Sequence, residues 1–174
     1  MMLGLGDLRI IPASGEEIIE PGQRPDEAVR SLSLAKAREV LPFCEAQDIV
    51  IAADTLVFLD GEILEKPRNE AEAFSMLSRL SGRVHEVFTG VSIIRGNEVF
   101  TEYERTDVRF RELTAQEIRN YIATGEPMDK AGAYGAQGRG AVFVEGIEGD
   151  FFNVMGLPLC RLSKMLKKMG VDLI

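Results

Sequence analysis

The run Ile49-Val50-Ile51-Ala52-Ala53 constrains the fold more than any other stretch of this chain. Five consecutive apolar residues read as a strand covered on both faces, which is the signature of an α/β layer fold. Asp54 ends the run. Ligands in open α/β sheets bind beyond the carboxyl ends of strands, so a carboxylate there is placed for chemistry; a capping or turn aspartate is the competing reading. Leu56 to Leu59, Asp60-Gly61 and Glu62 to Leu64 then form a hairpin with a tight turn. Lys66-Pro67 follows and sets a lysine on an irregular segment near the hairpin base.

The elements on either side alternate in the same spirit. Leu8 to Ile11 reads as a short strand, followed by a loop that carries Glu16 and Glu17. Pro25 suits a first helical turn and opens a helix to about Val40. The inward stripe of that helix runs Val29, Leu32, Lys36, Val40, so a lysine stands where an apolar residue is expected. It is either a stem snorkelling at the rim of the core or a functional cation. Asn69 with Glu72 predicts a helix start, and Ala73, Phe74, Leu77 and Leu80 give that helix its apolar face up to Ser81-Gly82. Strands are expected over Val84 to Ile94 and Glu98 to Phe110, joined at Gly96-Asn97. Thr114 and Glu117 form a capping-box pair for a helix that stops at Gly125. A strand at Ala141 to Val144 and a last helix, opened by Gly156-Leu157-Pro158 and ending near Met169, complete the pattern.

Composition narrows the function classes. With 174 residues, 45% hydrophobic and 28% charged, the chain reads as one globular domain spanning 1–174. A net charge of -8 argues against a nucleic-acid-coating or membrane-surface protein, since both need a broad basic face. His85 is the sole histidine, which excludes a multi-histidine metal site, and it reads as a partly buried strand residue. Cys44 and Cys160 lie far apart without a C-x-x-C spacing, so a reduced, cytoplasmic setting fits. The polar residues that interrupt apolar or tight segments are Glu17, Lys36, Asp54, Lys66, Asp129, Lys130 and Gln137. Lysines beside carboxylates suit phosphate chemistry, because ammonium groups neutralise phosphoryl oxygens while carboxylates hold a divalent cation or orient a water. The glycine-rich stretch from Ala131 to Gly140 matches neither a P-loop nor G-x-G-x-x-G; its glycines either make turns or let backbone approach a ligand.

Several blocks then fall into a known order: Ala52-Ala53-Asp54-Thr55, Glu65-Lys66-Pro67, Leu80-Ser81-Gly82-Arg83-Val84-His85, Thr89-Gly90-Val91, the long segment Thr124 to Gly138 with Asp129-Lys130-Ala131-Gly132-Ala133-Tyr134-Gly135, and Gly156-Leu157-Pro158-Leu159. Over nearly its whole length the chain resembles the Maf nucleoside triphosphate pyrophosphatases. The resemblance implies a mixed, twisted sheet with flanking helices and two lobes around a cleft, similar to inosine triphosphatase-like enzymes. It implies hydrolysis of a nucleoside triphosphate to the monophosphate and pyrophosphate with Mg²⁺ or Mn²⁺, and a homodimer. By position, Asp54 matches the family's proton acceptor, Lys36 and Lys66 its phosphate-facing lysines, and Glu17 an acidic metal or water ligand, with Asp54 also at the metal. Thr55 and Gln137 match positions linked to nucleotide choice and resemble the dTTP/UTP branch rather than the branch acting on 7-methyl-GTP. One departure stands out. The family opens with a strand and a Ser-x-Ser-Pro-Arg-Arg loop, whereas Met1-Met2-Leu3-Gly4-Leu5 corresponds to the end of the helix after that loop. The expectation is therefore a domain without its first strand and phosphate loop, and the rival reading is a catalytically impaired nucleotide-binding or protein-interaction module. Ser33 and Ala136 are smaller departures that touch none of the proposed chemistry.

Overall fold

The computed structural model describes residues 8–20 and 22–173. Its helices are α1 (Pro25–Val40), α2 (Glu70–Leu80), α3 (Ala115–Ile122), the single turn α4 (Phe151–Val154) and α5 (Leu159–Lys168). Its strands are β1 (Val50–Leu59), β2 (Glu62–Leu64), β3 (Val84–Arg95), β4 (Glu98–Phe110) and β5 (Val144–Glu148), in the order β2-β1-β3-β4-β5. Helices flank one sheet, as an α/β layer requires. Every pairing among the described residues is antiparallel, so the parallel pairing that a mixed sheet needs is not among them. The expected loss of a first strand and phosphate loop concerns residues 1–7, outside the described residues.

Local chemistry explains most boundaries. Pro25 occupies the first turn of α1, with Asp26 and Glu27 facing the positive end of its dipole. The Asn69 side chain accepts from the Glu72 backbone N–H, and Thr114 and Glu117 complete a reciprocal capping box on α3. Even residues of β1, Val50 and Leu56 among them, pack under α1, while Ile51, Ala53, Val91 and Ile93 pack under α5. Farther along that second face, Val57, Val87, Val108 and Phe110 meet α2 and α3. The apolar cover on that face is thus split between two ends of the sheet, and the strip between them is polar.

Three sequence expectations need correction. Leu8 to Ile11 forms no strand, and Leu8 and Ile10 are exposed. Asp54 does not end its strand: it sits mid-β1, paired with Gly90, because Lys36 compensates its charge and the ladder can continue through Val57 to Leu59. Ala141 to Val144 is mostly a 3-10 turn (Arg139–Phe143), with the strand starting only at Val144. Its apolar character comes from Phe143, which inserts against Phe110 and Tyr121.

Candidate active site

Helix α1 lies directly on the backbone of β3. A Cβ at Gly90 would sit 2.1 Å from the Val29 carbonyl oxygen, so only glycine permits this approach. The close contact brings Lys36 down onto β1, where its ammonium hydrogen-bonds Asp54 Oδ1 and stands 2.7 Å from Glu17 Oε1. Glu17 reaches this point because the loop before α1 is tied back: the Glu39 carboxylate accepts from the backbone N–H of Ser14 at 2.7 Å and of Gly15 at 3.0 Å. Lys66, on the irregular segment after β2, completes the group with its Nζ 3.9 Å from Glu17 Oε2. Lys36 is therefore no solvated stem. Its head is engaged by two carboxylates.

The electrostatics follow from burial. Asp54 is 6% exposed, and desolvation pushes its carboxyl above the usual aspartate range against the opposing pull of Lys36. Burial pulls the Lys36 ammonium down, but the hydrogen bonds to Asp54 and Glu17 outweigh it and the net shift is upward. The hydrogen bond from Lys36 holds Glu17 below the ordinary carboxylate range. One atom is left over: Asp54 Oδ2 is buried without a partner among the described residues. An orphaned carboxylate oxygen beside a cleft is a group waiting for a proton, a water or a cation.

A cleft of ≈ 230 Å³ opens over this cluster. It draws Asp54 from the α1 face of β1 and Thr55 from the opposite face, because residues of β1 before Val57 have no partner strand on that side among the described residues. Glu17, Lys36, Lys66, Asp129 and Lys130 line it too, so lysines and carboxylates are equal in number around the opening. Gln137 is the exception among the expected residues. It is exposed on the turn after Ala136 and does not line the cleft. Several backbone N–H groups of the glycine-rich stretch around it are committed internally, with Arg139 and Gly140 donating to Glu126 at 2.8 and 3.1 Å. Behind the cleft wall, the lining residue Tyr134 meets His85 Nε2 at 2.8 Å.

Residues 1–169 match the family described as Maf-like protein. The chain belongs to the Maf family. Similar proteins include the dTTP/UTP pyrophosphatase of Bacillus cereus (strain AH187), 50% identical over 163 residues, covering 94% of this chain and 85% of that protein. The dTTP/UTP pyrophosphatase of Clostridium perfringens (strain 13 / Type A) is 52% identical over 151 residues, covering 86% and 79% respectively. Maf membership agrees with the helix-flanked sheet and with the cleft gathered at β1.

Some of what holds this Maf site together carried little signal in the sequence. Glu39 looks like an ordinary exposed helix residue, yet it anchors the loop that delivers Glu17. Thr89 lies in one of the quoted blocks without an assigned role, and Asn153 carried no signal; both are fully buried beside Thr55. The described residues contain no cluster of three His, Cys, Asp or Glu side chains for a metal. Asp54 Oδ2 and Glu17 nevertheless fit Mg²⁺ or Mn²⁺, since such ions are commonly held by one or two carboxylates with substrate phosphates supplying further oxygens.

Proposed function

We propose that this chain hydrolyses nucleoside triphosphates of the dTTP and UTP class to the nucleoside monophosphate and pyrophosphate. The observation that carries this reading is the 50% identity, over 94% of the chain, to a protein named dTTP/UTP pyrophosphatase. Geometry supports the following roles. Asp54 Oδ2, buried and without a partner among the described residues, accepts the proton of the attacking water. The water oxygen bonds to the α-phosphorus as the bond to the bridging oxygen breaks, and pyrophosphate leaves. Lys36, kept protonated, fixes the other Asp54 oxygen, and with Lys66 faces the phosphate charge.

Lys36, Lys66 and Lys130 are matched by Glu17, Asp54 and Asp129, so these lining side chains offer a triphosphate no net positive charge. That balance supports a divalent cation held by Glu17 and Asp54. When bound, Mg²⁺ or Mn²⁺ neutralises phosphoryl oxygens as charge develops on the leaving group. Thr55 lines the same cleft and is the base- or sugar-reading residue; Gln137 would join it from the neighbouring turn. No helix among the described residues is long and apolar enough to cross a membrane, and the reading includes a cytoplasmic homodimer acting on small nucleotides rather than nucleic acid. The impaired-module alternative is not favoured, because relatives at this identity carry the name of a pyrophosphatase.

The test is direct. With Mg²⁺ and UTP or dTTP, the protein should release pyrophosphate, separated by ion-exchange chromatography. Asp54→Asn should lower kcat by about 10²–10⁴-fold with nucleotide affinity largely kept. Absence of pyrophosphate from a panel of triphosphates would sink the reading, and undiminished turnover by the variant would remove Asp54 from its role.

A further inference from the structure

Thr55 and Thr89 stand directly opposite each other on β1 and β3, with their hydroxyl oxygens 2.8 Å apart. A hydroxyl has one hydrogen to donate and two lone pairs to accept with. The direction of such a bond is fixed once either hydrogen is assigned elsewhere. Thr89 is fully buried, and its Oγ1 lies 2.9 Å from the backbone carbonyl oxygen of Asn153, a group that can only accept. Thr89 therefore gives its hydrogen to Asn153 and can only accept from Thr55. Thr55 in turn donates to Thr89 and has lone pairs alone to offer the cleft it lines.

The surroundings hold this polarity in place. The Asn153 side chain is itself fully buried and donates to the Val87 carbonyl at 3.0 Å and to Thr106 Oγ1 at 2.9 Å, which fixes the carbonyl that Thr89 needs. On the cleft side, Gly156 adopts φ +101, and a Cβ there would lie 3.4 Å from Thr55 Oγ1, so the glycine keeps space beside the hydroxyl open. A phosphate oxygen approaching Thr55 would meet lone pairs with lone pairs. The contact thus belongs to the nucleoside end of a substrate.

We propose that Thr89 and the Asn153 backbone are positioning groups that hold Thr55 as an acceptor-only contact, so that the cleft selects nucleotides presenting a hydrogen-bond donor at that point. The inference rests on the hydrolysis reading and adds the polarity of one contact to it. Uracil and thymine share an imide N–H where cytosine has a lone pair, and the sugars of UTP and dTTP share a 3′ hydroxyl. Either donor satisfies Thr55, and two substrate analogues separate them: CTP removes the imide hydrogen and 3′-deoxy-UTP removes the hydroxyl.

The experiment compares kcat and KM for UTP, CTP and 3′-deoxy-UTP in the intact protein and in Thr89→Ser, Thr89→Val and Thr55→Val. The intact protein and Thr89→Ser should show a KM penalty of about tenfold or more for one analogue against UTP, with kcat moved far less. In Thr89→Val the Thr55 hydrogen is released and can meet the cytosine N3 lone pair, so a CTP penalty should shrink to about threefold or less. A 3′-deoxy-UTP penalty, which reads a lost donor, should stay in that variant. In Thr55→Val the acceptor is gone and either penalty should shrink as far. A penalty on CTP assigns the contact to the imide, and one on 3′-deoxy-UTP assigns it to the sugar. Should Thr89→Val fail to fold, Thr89→Ala, which also removes the acceptor for the Thr55 hydrogen, takes its place. A penalty that survives in Thr55→Val, or a CTP penalty that survives in Thr89→Val, overturns the proposal, as does a wild-type protein that penalises neither analogue. Failure of the wild-type protein to release pyrophosphate from UTP counts against the hydrolysis reading instead, and the same ratios are then read as Kd values by calorimetry, with the same outcomes deciding.

Discussion

His85 is packed edge-on against Phe110 and Tyr134, is 1% exposed, and has an Nδ1 without a partner among the described residues. Burial lowers its pKa from 6.5 to about 4, so the folded protein keeps it neutral. Between those two values the unfolded chain binds a proton that the folded chain does not. Stability is therefore fully present above pH 6.5 and falls by about 3 kcal/mol in all as the pH drops toward 4. Urea unfolding at pH 7.5 and 4.5 should show a larger loss for the wild-type protein than for His85→Gln; equal losses would reject His85 as the origin. This depth of burial was not legible from a lone histidine in a strand pattern, because it depends on Tyr134 arriving from a loop 49 residues away. Lys36 was legible as an anomaly in an apolar stripe, but its two readings differ only in what lies beneath the helix, and that is Asp54.

At the scale of elements, the contact between α1 and β3 decides whether the site exists. Gly90 makes the contact possible, and Lys36 sits on the helix it admits. Gly90→Ala forces a Cβ into the Val29 carbonyl, which should cost about 1–3 kcal/mol or more as the helix is displaced. Turnover should fall with it, because Lys36 retreats from Asp54. Denaturation midpoints and UTP turnover check this together, and a variant with unchanged stability would show that α1 is not held as described. Helices α1, α2, α3 and α5 and the long hairpin from β3 to β4 could be read from the chain because their caps, turns and apolar stripes are local, whereas the single turn α4 was not anticipated. The missed strand end at Asp54 and the misplaced strand near Phe143 have the opposite character. Each was decided by a partner distant in sequence: Lys36 in the first case, Phe110 and Tyr121 in the second.

For the whole molecule, the net charge of -8 means that attraction for an anionic nucleotide has to be local, and the balanced cleft shows how little excess positive charge its lining side chains supply. Assembly belongs to this scale as well. The homodimer expected from the family should give twice the 19.2 kDa chain mass in light scattering, and a monomer mass across the working concentration range would reject it. By itself the sequence determined the α/β class, nearly every helix and strand, the family, and the short set of polar residues from which a site could be built. Those are properties of local periodicity, capping and motif order. Tertiary structure alone decided that Asp54 is a buried mid-strand carboxylate with one oxygen unpartnered among the described residues, that Lys36 is its partner, that Glu39 holds the loop bearing Glu17, and that Thr89 meets the Thr55 hydroxyl. Burial, orphaned atoms and hydrogen-bond direction arise only when segments far apart in the chain close on one another, so no reading along the chain can supply them.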